Sequence, residues 1–257
     1  MNCAKKTVRD NFSRRASSYD RHSSGQAKAA LSLIKIAPEN INVSSVLEVG
    51  CGTGTLTSLL VDKYPGARIK ALDISRPMLR EARERCGRHS VRFMNADIEK
   101  IHVRERFDLV ASNAALQWSE DLNVAAERIH SSLVPGGYSC VSVYGPGTYS
   151  ELSWALSDVT GRKIYLPAQG FCRKGQVKKI FRRYFPEVEV WEKNIELLYP
   201  GIVNLLRDIH LSGVRGQGAG EGLYLGAGLL RRAERVYKKK FGAIKSTHNI
   251  IYLKTRR

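Results

Sequence analysis

With 257 residues, 43% hydrophobic and 26% charged, the chain suits one sizeable domain with a small lid or cap rather than two full domains, and its core needs no disulfides. Its five cysteines (Cys3, Cys51, Cys86, Cys140, Cys172) lack Cys-x-x-Cys or zinc-ligand spacing, the polar, basic start leads into no apolar run, and no stretch approaches roughly 18 apolar residues. We therefore expect a cytoplasmic protein with reduced thiols, whose formal net charge of +18 favours an acidic partner: nucleic acid, an anionic membrane or an acidic protein.

In chain order, Lys5 to Ala37 reads as amphipathic helix (Val8, Phe12, Ala16, then Ala27, Ala30, Leu31, Ile34) with a break at Ser17-Ser18-Tyr19-Asp20. Val46 to Val49 is a short strand that runs into a glycine cluster. Leu56, Leu59 and Leu60 give helical spacing, stopped by Tyr64-Pro65-Gly66. Strands follow at Ile69–Leu72, Val91–Met94 and Phe107–Ala111, with a helix carrying Met78, Leu79 and Ala82 between the first two. Leu122 to Leu133 is helical, and Pro135-Gly136-Gly137 turns into a fifth strand, Tyr138–Val143. Regular alternation of this kind predicts an α/β fold with a parallel, doubly wound sheet. Beyond residue 145 the expected elements are helices at Tyr149–Val159 and Val177–Tyr184, a strand at Val188–Trp191, and a last strand at Asn249–Lys254. The helical, glycine-interrupted stretch from Ile195 to Ile244, with its basic run Arg231-Arg232 to Lys240, reads as an inserted cap. The division is then an N-terminal lid at 1–44, a core at 45–194 and 246–257, and a cap at 195–245.

Chemistry concentrates where strands end. Gly50, Gly52 and Gly54 follow a strand and open a helix, so the backbone can approach a ligand closely and free N–H groups face it. The spacing is Gly-x-Gly-x-Gly, one residue shorter than the dinucleotide pattern. Glu48, inside an apolar strand, is costly to bury without a partner. Asp73 ends the second strand about twenty residues after the loop, where a carboxylate can hydrogen-bond a ribose diol, and Asp97 follows the third strand at the edge where open α/β sheets bind ligands. An adenine amino group suits Asp97.

Glu48-x-Gly50-x-Gly52-x-Gly54, Asp73, Asp97-Ile98 and Pro135-Gly136-Gly137, in this order, resemble the class I S-adenosylmethionine methyltransferases. The resemblance implies a seven-stranded sheet with an antiparallel last strand, and S-adenosylmethionine as cofactor with S-adenosylhomocysteine as product. It places the glycine loop, Cys51 included, against the methionine moiety, Asp73 with Ile74 at the ribose, and Asp97 and Ile98 at the adenine. Met78 is expected to pack at the core or the adenine side, and Cys51 to contribute only its small size and backbone.

After the fourth strand stands Ser112-Asn113-Ala114-Ala115-Leu116-Gln117-Trp118 instead of the Asn/Asp-Pro-Pro-Tyr of many amino-methylating enzymes. This resembles the branch that holds the malonyl-acyl carrier protein O-methyltransferases of biotin synthesis and the trans-aconitate methyltransferases. Phe12 to Asp20 with Gln26, Tyr144 to Leu152, and Leu205 to Val214 are similar to the first of these families. The implied reaction methylates the free carboxylate of a malonyl thioester on acyl carrier protein. A carboxylate with a pKa of about 4 is already ionised near neutral pH, so no catalytic base is required. Arg207, with His210 one turn later, is the expected fork for that carboxylate, and Tyr19 is expected to help to orient it; Tyr19 and Gln26 are also expected to close over the cofactor beside Asn113 and Trp118. The acidic carrier gives the basic surplus a use, with Arg173, Lys174, Lys178 and Lys179 as candidate docking residues. The alternatives are a methyltransferase for a small free acid such as trans-aconitate, or an RNA-directed one, although no nucleic-acid-binding module is present in the sequence.

Overall fold

The computed structural model describes residues 3–39, 42–87, 91–212 and 226–257. Its strands are β1 (Ser45–Val49), β2 (Arg68–Asp73), β3 (Val91–Asn95), β4 (Phe107–Asn113), β5 (Leu133–Tyr144), β6 (Glu187–Tyr199) and β7 (Ile244–Arg256). They form one seven-stranded sheet in the order β3-β2-β1-β4-β5-β7-β6. The pairs from β3 to β5 are parallel, and β7 runs antiparallel to both β5 and β6. This is the doubly wound sheet that the alternation of elements predicts.

Every residue of β1 is buried, as expected of a parallel strand covered on both faces. Because successive side chains alternate, Val46 packs with Leu56 and Leu60 of α3 (Thr55–Lys63) and with Ala29, Ala30 and Leu33 of α2 (Ser24–Ile36). Leu47 and Val49 face the opposite layer. There Ala125, Ala126 and Ile129 of α5 (Leu122–Ser131) pack with Val177 and Phe181 of α7 (Lys174–Phe181). α4 (Arg76–Cys86) is started by Ser75, whose hydroxyl accepts from the Met78 amide. α1 (Cys3–Arg15) and a 3-10 segment, Ala16–His22, precede α2. The segment falls at the expected Ser-Ser-Tyr-Asp break.

Several elements depart from their expected limits. β6 and β7 each have 13 residues and pair along their whole length, from Glu187 with Arg256 to Tyr199 with Ile244. Ile195 to Tyr199, expected to open the helical cap, therefore continue β6. β6 is an edge strand whose mid-section Glu192-Lys193-Asn194 carries no apolar side chain, so the hydrophobic signal stops at Trp191 although the backbone ladder does not. β5 starts at Leu133, before Pro135-Gly136-Gly137, because Phe107 pairs with Leu133 and Leu109 with Tyr138. The intervening residues make an irregularity in the strand register, with Gly136 at φ +79°. β4 runs on to Asn113.

A smaller helical layer caps this end of the sheet. It joins α6 (Ser150–Thr160), α8 (Ile202–Leu211) and α9 (Ala227–Phe241) around Leu152, Leu156, Leu205, Ala233 and Tyr237. The Tyr237 hydroxyl donates to the Lys245 carbonyl. Gly213 and Val214, the end of the expected cap-helix pattern, lie outside the described residues. Among the described residues no helix is long and apolar enough to cross a membrane.

Candidate functional site

The carboxyl end of β1 leads into a loop held by backbone bonds and by one carboxylate. Gly50 N–H and Cys51 N–H both donate to the Leu72 carbonyl, at 2.8 and 2.9 Å, and Gly54 N–H donates to the Cys51 carbonyl at 2.9 Å. Gly50 has φ +73°, and a Cβ there would lie 2.3 Å from the Ala115 Cβ. Gly54 has φ +86° where α3 begins. Neither position accepts a side chain without strain. Asp73, at the end of β2, completes the loop: Oδ2 accepts from the Gly52 amide at 2.9 Å and Oδ1 from the Ser75 amide at 2.8 Å. Burial raises the Asp73 pKa, and those backbone donors oppose the shift.

Glu48 lies behind the loop and is 1% exposed. The Thr57 hydroxyl donates to its Oε2 at 2.6 Å, and no cation pairs with it among the described residues. Burial pushes its pKa up to about 8, against the Thr57 bond and with a further rise from Asp73. The side chain is accordingly a neutral acid over most of the physiological range. Burial also pushes the Cys51 thiol well up, so it stays protonated.

The N-terminal segment roofs the space in front of the loop. Lys5 of α1 pairs with Asp97 at 2.7 Å and also with Glu99. The Ser13 and Ser75 hydroxyls share a hydrogen bond at 2.8 Å. Asp20 accepts from the Thr53 hydroxyl at 2.6 Å and pairs with Arg85, which donates in turn to Thr55 Oγ1 at 2.8 Å. The rings of Phe12 and Tyr19 meet edge-on at 5.9 Å, Phe12 and Trp118 at 6.2 Å, and Trp118 and Phe171 at 5.1 Å. Tyr19 shares a hydrogen bond with Gln26, and its phenol pKa is raised by burial and by the charges of Asp20 and Asp73. Asn113 Nδ2 donates to the Gln26 carbonyl at 3.1 Å, while its Oδ1 accepts from Ser142 at 2.7 Å.

These parts line a cleft with about 1000 Å³ of space between atoms, a figure that includes the solvent at its open side. Tyr19, Gln26, Glu48, Gly50, Cys51, Gly52, Asp73, Ile74, Met78, Asp97, Ile98, Asn113 and Trp118 all line it, and Gly54 shapes the loop from behind. Asp97, which lines the cleft, has a buried carboxylate oxygen, Oδ2, without a hydrogen-bond partner among the described residues. A carboxylate oxygen without a donor is costly, and an amino group on a ligand would satisfy it. Asp73, with about four lone-pair sites on its carboxylate, has acceptor capacity beyond its two backbone donors.

Residues 46–137 match the family model described as a methyltransferase domain. A malonyl-[acyl-carrier protein] O-methyltransferase of Acetivibrio thermocellus is 31% identical, over 98% of this chain and 94% of the relative. The chain belongs to the malonyl-[acyl-carrier protein] O-methyltransferases. A second member, from Ilyobacter polytropus, is 30% identical over 97% of this chain and 96% of its own length. Among solved structures, phosphoethanolamine N-methyltransferase 2 of Haemonchus contortus with S-adenosylhomocysteine is similar at a TM-score of 0.61 and 19% identity, covering 97% of this chain and 60% of that one. The N-methyltransferase NodS of Bradyrhizobium japonicum gives 0.55 at 14% identity, covering 98% of both chains. At these identities the likeness shows the methyltransferase fold.

Two expected residues of this family member lie elsewhere. Arg207 and His210 are exposed on α8 and do not line the cleft. The buried side of α8 carries Ile202 and Leu205, so the positions at 203, 207 and 210 face outward. Arg15 donates to the His210 ring, and His22 Nδ1 donates to Asp208 at 2.7 Å, so α8 binds the roof instead of the cleft. Conversely, sequence reasoning missed Lys5 and Val8, which line the cleft beside Phe12. Their spacing at 5, 8 and 12 marks one helix face, and this was the available signal.

A raised carboxyl pKa has a definite consequence for stability. Unfolded, Glu48 titrates near 4.5, and folded, near 8. Stabilisation by the protonated form is therefore complete below about pH 4.5 and is lost as the pH rises towards 8. Glu48→Gln, a neutral replacement that cannot ionise, should gain stability relative to the parent across that window and run parallel to it above pH 8. Urea denaturation at pH 5, 6.5 and 8 measures this, and a constant difference between the two proteins would contradict the assignment.

Proposed function

We propose that this chain transfers a methyl group from S-adenosylmethionine to the free carboxylate of a malonyl thioester carried on acyl carrier protein. The observation that carries the cofactor half is that Asp97, whose Oδ2 has no donor among the described residues, lines the same cleft as the glycine loop and Asp73. In this reading Asp97 and Ile98 meet the adenine with Met78 packed beside it, Asp73 and Ile74 meet the ribose hydroxyls, and Gly50, Cys51 and Gly52 run along the methionine chain. The acceptor half rests on membership of a family whose members are named for that substrate.

When bound, S-adenosylmethionine supplies an electrophilic methyl group on a sulfonium, which a carboxylate oxygen takes by in-line displacement as the C–S bond breaks and its electron pair stays on sulfur. The residues of the chain orient and dry this step rather than move protons. The acceptor is ionised near neutral pH, its pKa being about 4, so a general base adds nothing. Phe12, Tyr19 and Trp118, the last backed edge-on by Phe171, line the cleft with aromatic surface that helps to exclude water. Tyr19 keeps its proton because burial, Asp20 and Asp73 raise its pKa, so its hydroxyl can donate to the acceptor carboxylate. The neutral Glu48 spares the loop a second buried negative charge beside Asp73.

Incubating purified protein with S-adenosylmethionine and malonyl-carrier protein should add one methyl group to the carrier-bound acyl chain, read by mass spectrometry. Methylation of free trans-aconitate with none on malonyl-carrier protein would overturn the acceptor assignment. Removing the Tyr19 hydroxyl in Tyr19→Phe should raise KM for the malonyl thioester about tenfold or more, the worth of a hydrogen bond to a charged group. The affinity for S-adenosylhomocysteine should hold in the same variant. Equal loss of both would make Tyr19 a cofactor residue only.

A further inference from the structure

The cationic surplus is not spread evenly in its use. Six of the fifteen residues of α9 are basic against one acid, Glu234. Three of the six are engaged within the protein: Lys238 pairs with Glu234 at 2.6 Å, Lys240 lies 4.2 Å over the Trp154 ring, and Arg232 donates to the Val159 carbonyl at 3.3 Å. The other three, Arg231, Arg235 and Lys239, are exposed and form no ion pair among the described residues. They stand four residues apart, in one row along the helix. Like charges at that spacing repel and destabilise the helix, so the row has no internal rationale. Arg231 and Arg235 line an open groove of about 900 Å³ between α8 and α9, beside the paired Glu234 and Lys238, with Ile202, Val203, Ala227 and Leu230 supplying apolar surface; Lys239 follows one turn beyond it. Val203 is 51% exposed. Arg207, one turn further along the same face of α8, is exposed and likewise unpaired among the described residues.

We propose that this groove seats an acidic, helical face of the carrier protein, with its apolar side chains against Val203 and Leu230 and its carboxylates against Arg207, Arg231, Arg235 and Lys239. The inference rests on the carrier-bound acceptor proposed above and adds where the carrier lands. α8 also holds the roof of the cleft through the Asp208–His22 contact at 2.7 Å, so a body seated on α8 lies beside the cleft into which a thioester arm must reach. This assigns Arg207 a docking role in place of a fork inside the site. It also moves the docking surface away from α7, where Arg173, Lys174 and Lys179 are exposed but the apolar Val177 and Phe181 are turned into the sheet core.

The test compares the full-length chain with Arg231→Glu/Arg235→Glu/Lys239→Glu on α9 and with Lys174→Glu/Lys179→Glu on α7. Affinity for acyl-free carrier protein is read by titration at two salt concentrations, and KM is read with malonyl-carrier protein and with malonyl-N-acetylcysteamine. The α9 variant should bind the carrier about tenfold or more weakly and lose most of its salt dependence, as expected when charges at an interface are reversed. Its kinetics on the short thioester and its melting temperature should match the parent. Neutral glutamines at the same three positions should give a smaller loss in the same direction, which guards against misfolding of the reversed protein. Unchanged carrier affinity in the α9 variant would overturn the proposal. So would a loss confined to the α7 variant, or loss of binding to a single-stranded RNA oligonucleotide with carrier affinity intact. Failure of the parent to methylate either thioester would count against the methyl-transfer reading alone, since carrier affinity is measured without turnover.

Discussion

The site depends on one buried carboxylate. Asp73 accepts from the Gly52 amide with one oxygen and from the Ser75 amide with the other, at 2.9 and 2.8 Å. The first bond fixes the glycine loop that leaves β1, and the second fixes the residue that starts α4. Leu72, the preceding residue of β2, accepts from Gly50 and Cys51, so two successive residues at one strand end set the whole course of the loop. Ser75 in turn meets Ser13 of the roof. The carboxylate that organises the backbone is thus the same group that faces the cleft, and a ligand there meets a preorganised acceptor.

Charge inside the site is managed by neutralisation more than by pairing. Glu48, Tyr19 and Cys51 all keep their protons because burial raises their pKa. Asp97 is the counter-example, answered by Lys5 at 2.7 Å from the roof. That pair ties closure of the N-terminal segment to the site beneath it, together with the Asp20 contacts to Thr53 and Arg85. Opening the roof would expose the Asp97 and Glu99 carboxylates without their cation, so the cleft and its cover are one electrostatic unit.

Much of this was legible in the sequence, because glycines and carboxylates placed at strand ends have few other physical uses. Glu48, Asp73 and Asp97 stand at the carboxyl edges of β1, β2 and β3, and periodicity places those strands to within two residues. The far side of the chain was harder to read. β6 alternates buried and exposed positions only weakly, and Glu192 to Asn194 erase the period at its centre. β7 hides Ser246, Thr247 and His248 inside the protein, polar residues that precede the expected strand start at Asn249 and carry no apolar period. Tyr144 and Ser246, which bracket the His248 ring at 3.2 and 3.1 Å, lie 104 and 2 residues away. A resemblance places Arg207 in the site, whereas the buried Ile202 and Leu205 of its own helix turn it outward.

The central claim is that Asp73 both holds the glycine loop and receives the cofactor. Calorimetric titration of S-adenosylhomocysteine into the parent protein and into Asp73→Asn tests it most directly. A charged hydrogen-bond acceptor lost at a buried site should weaken binding roughly 10- to 100-fold, with the parent binding one equivalent. Equal affinity in the two proteins, or no binding to the parent, would contradict the account.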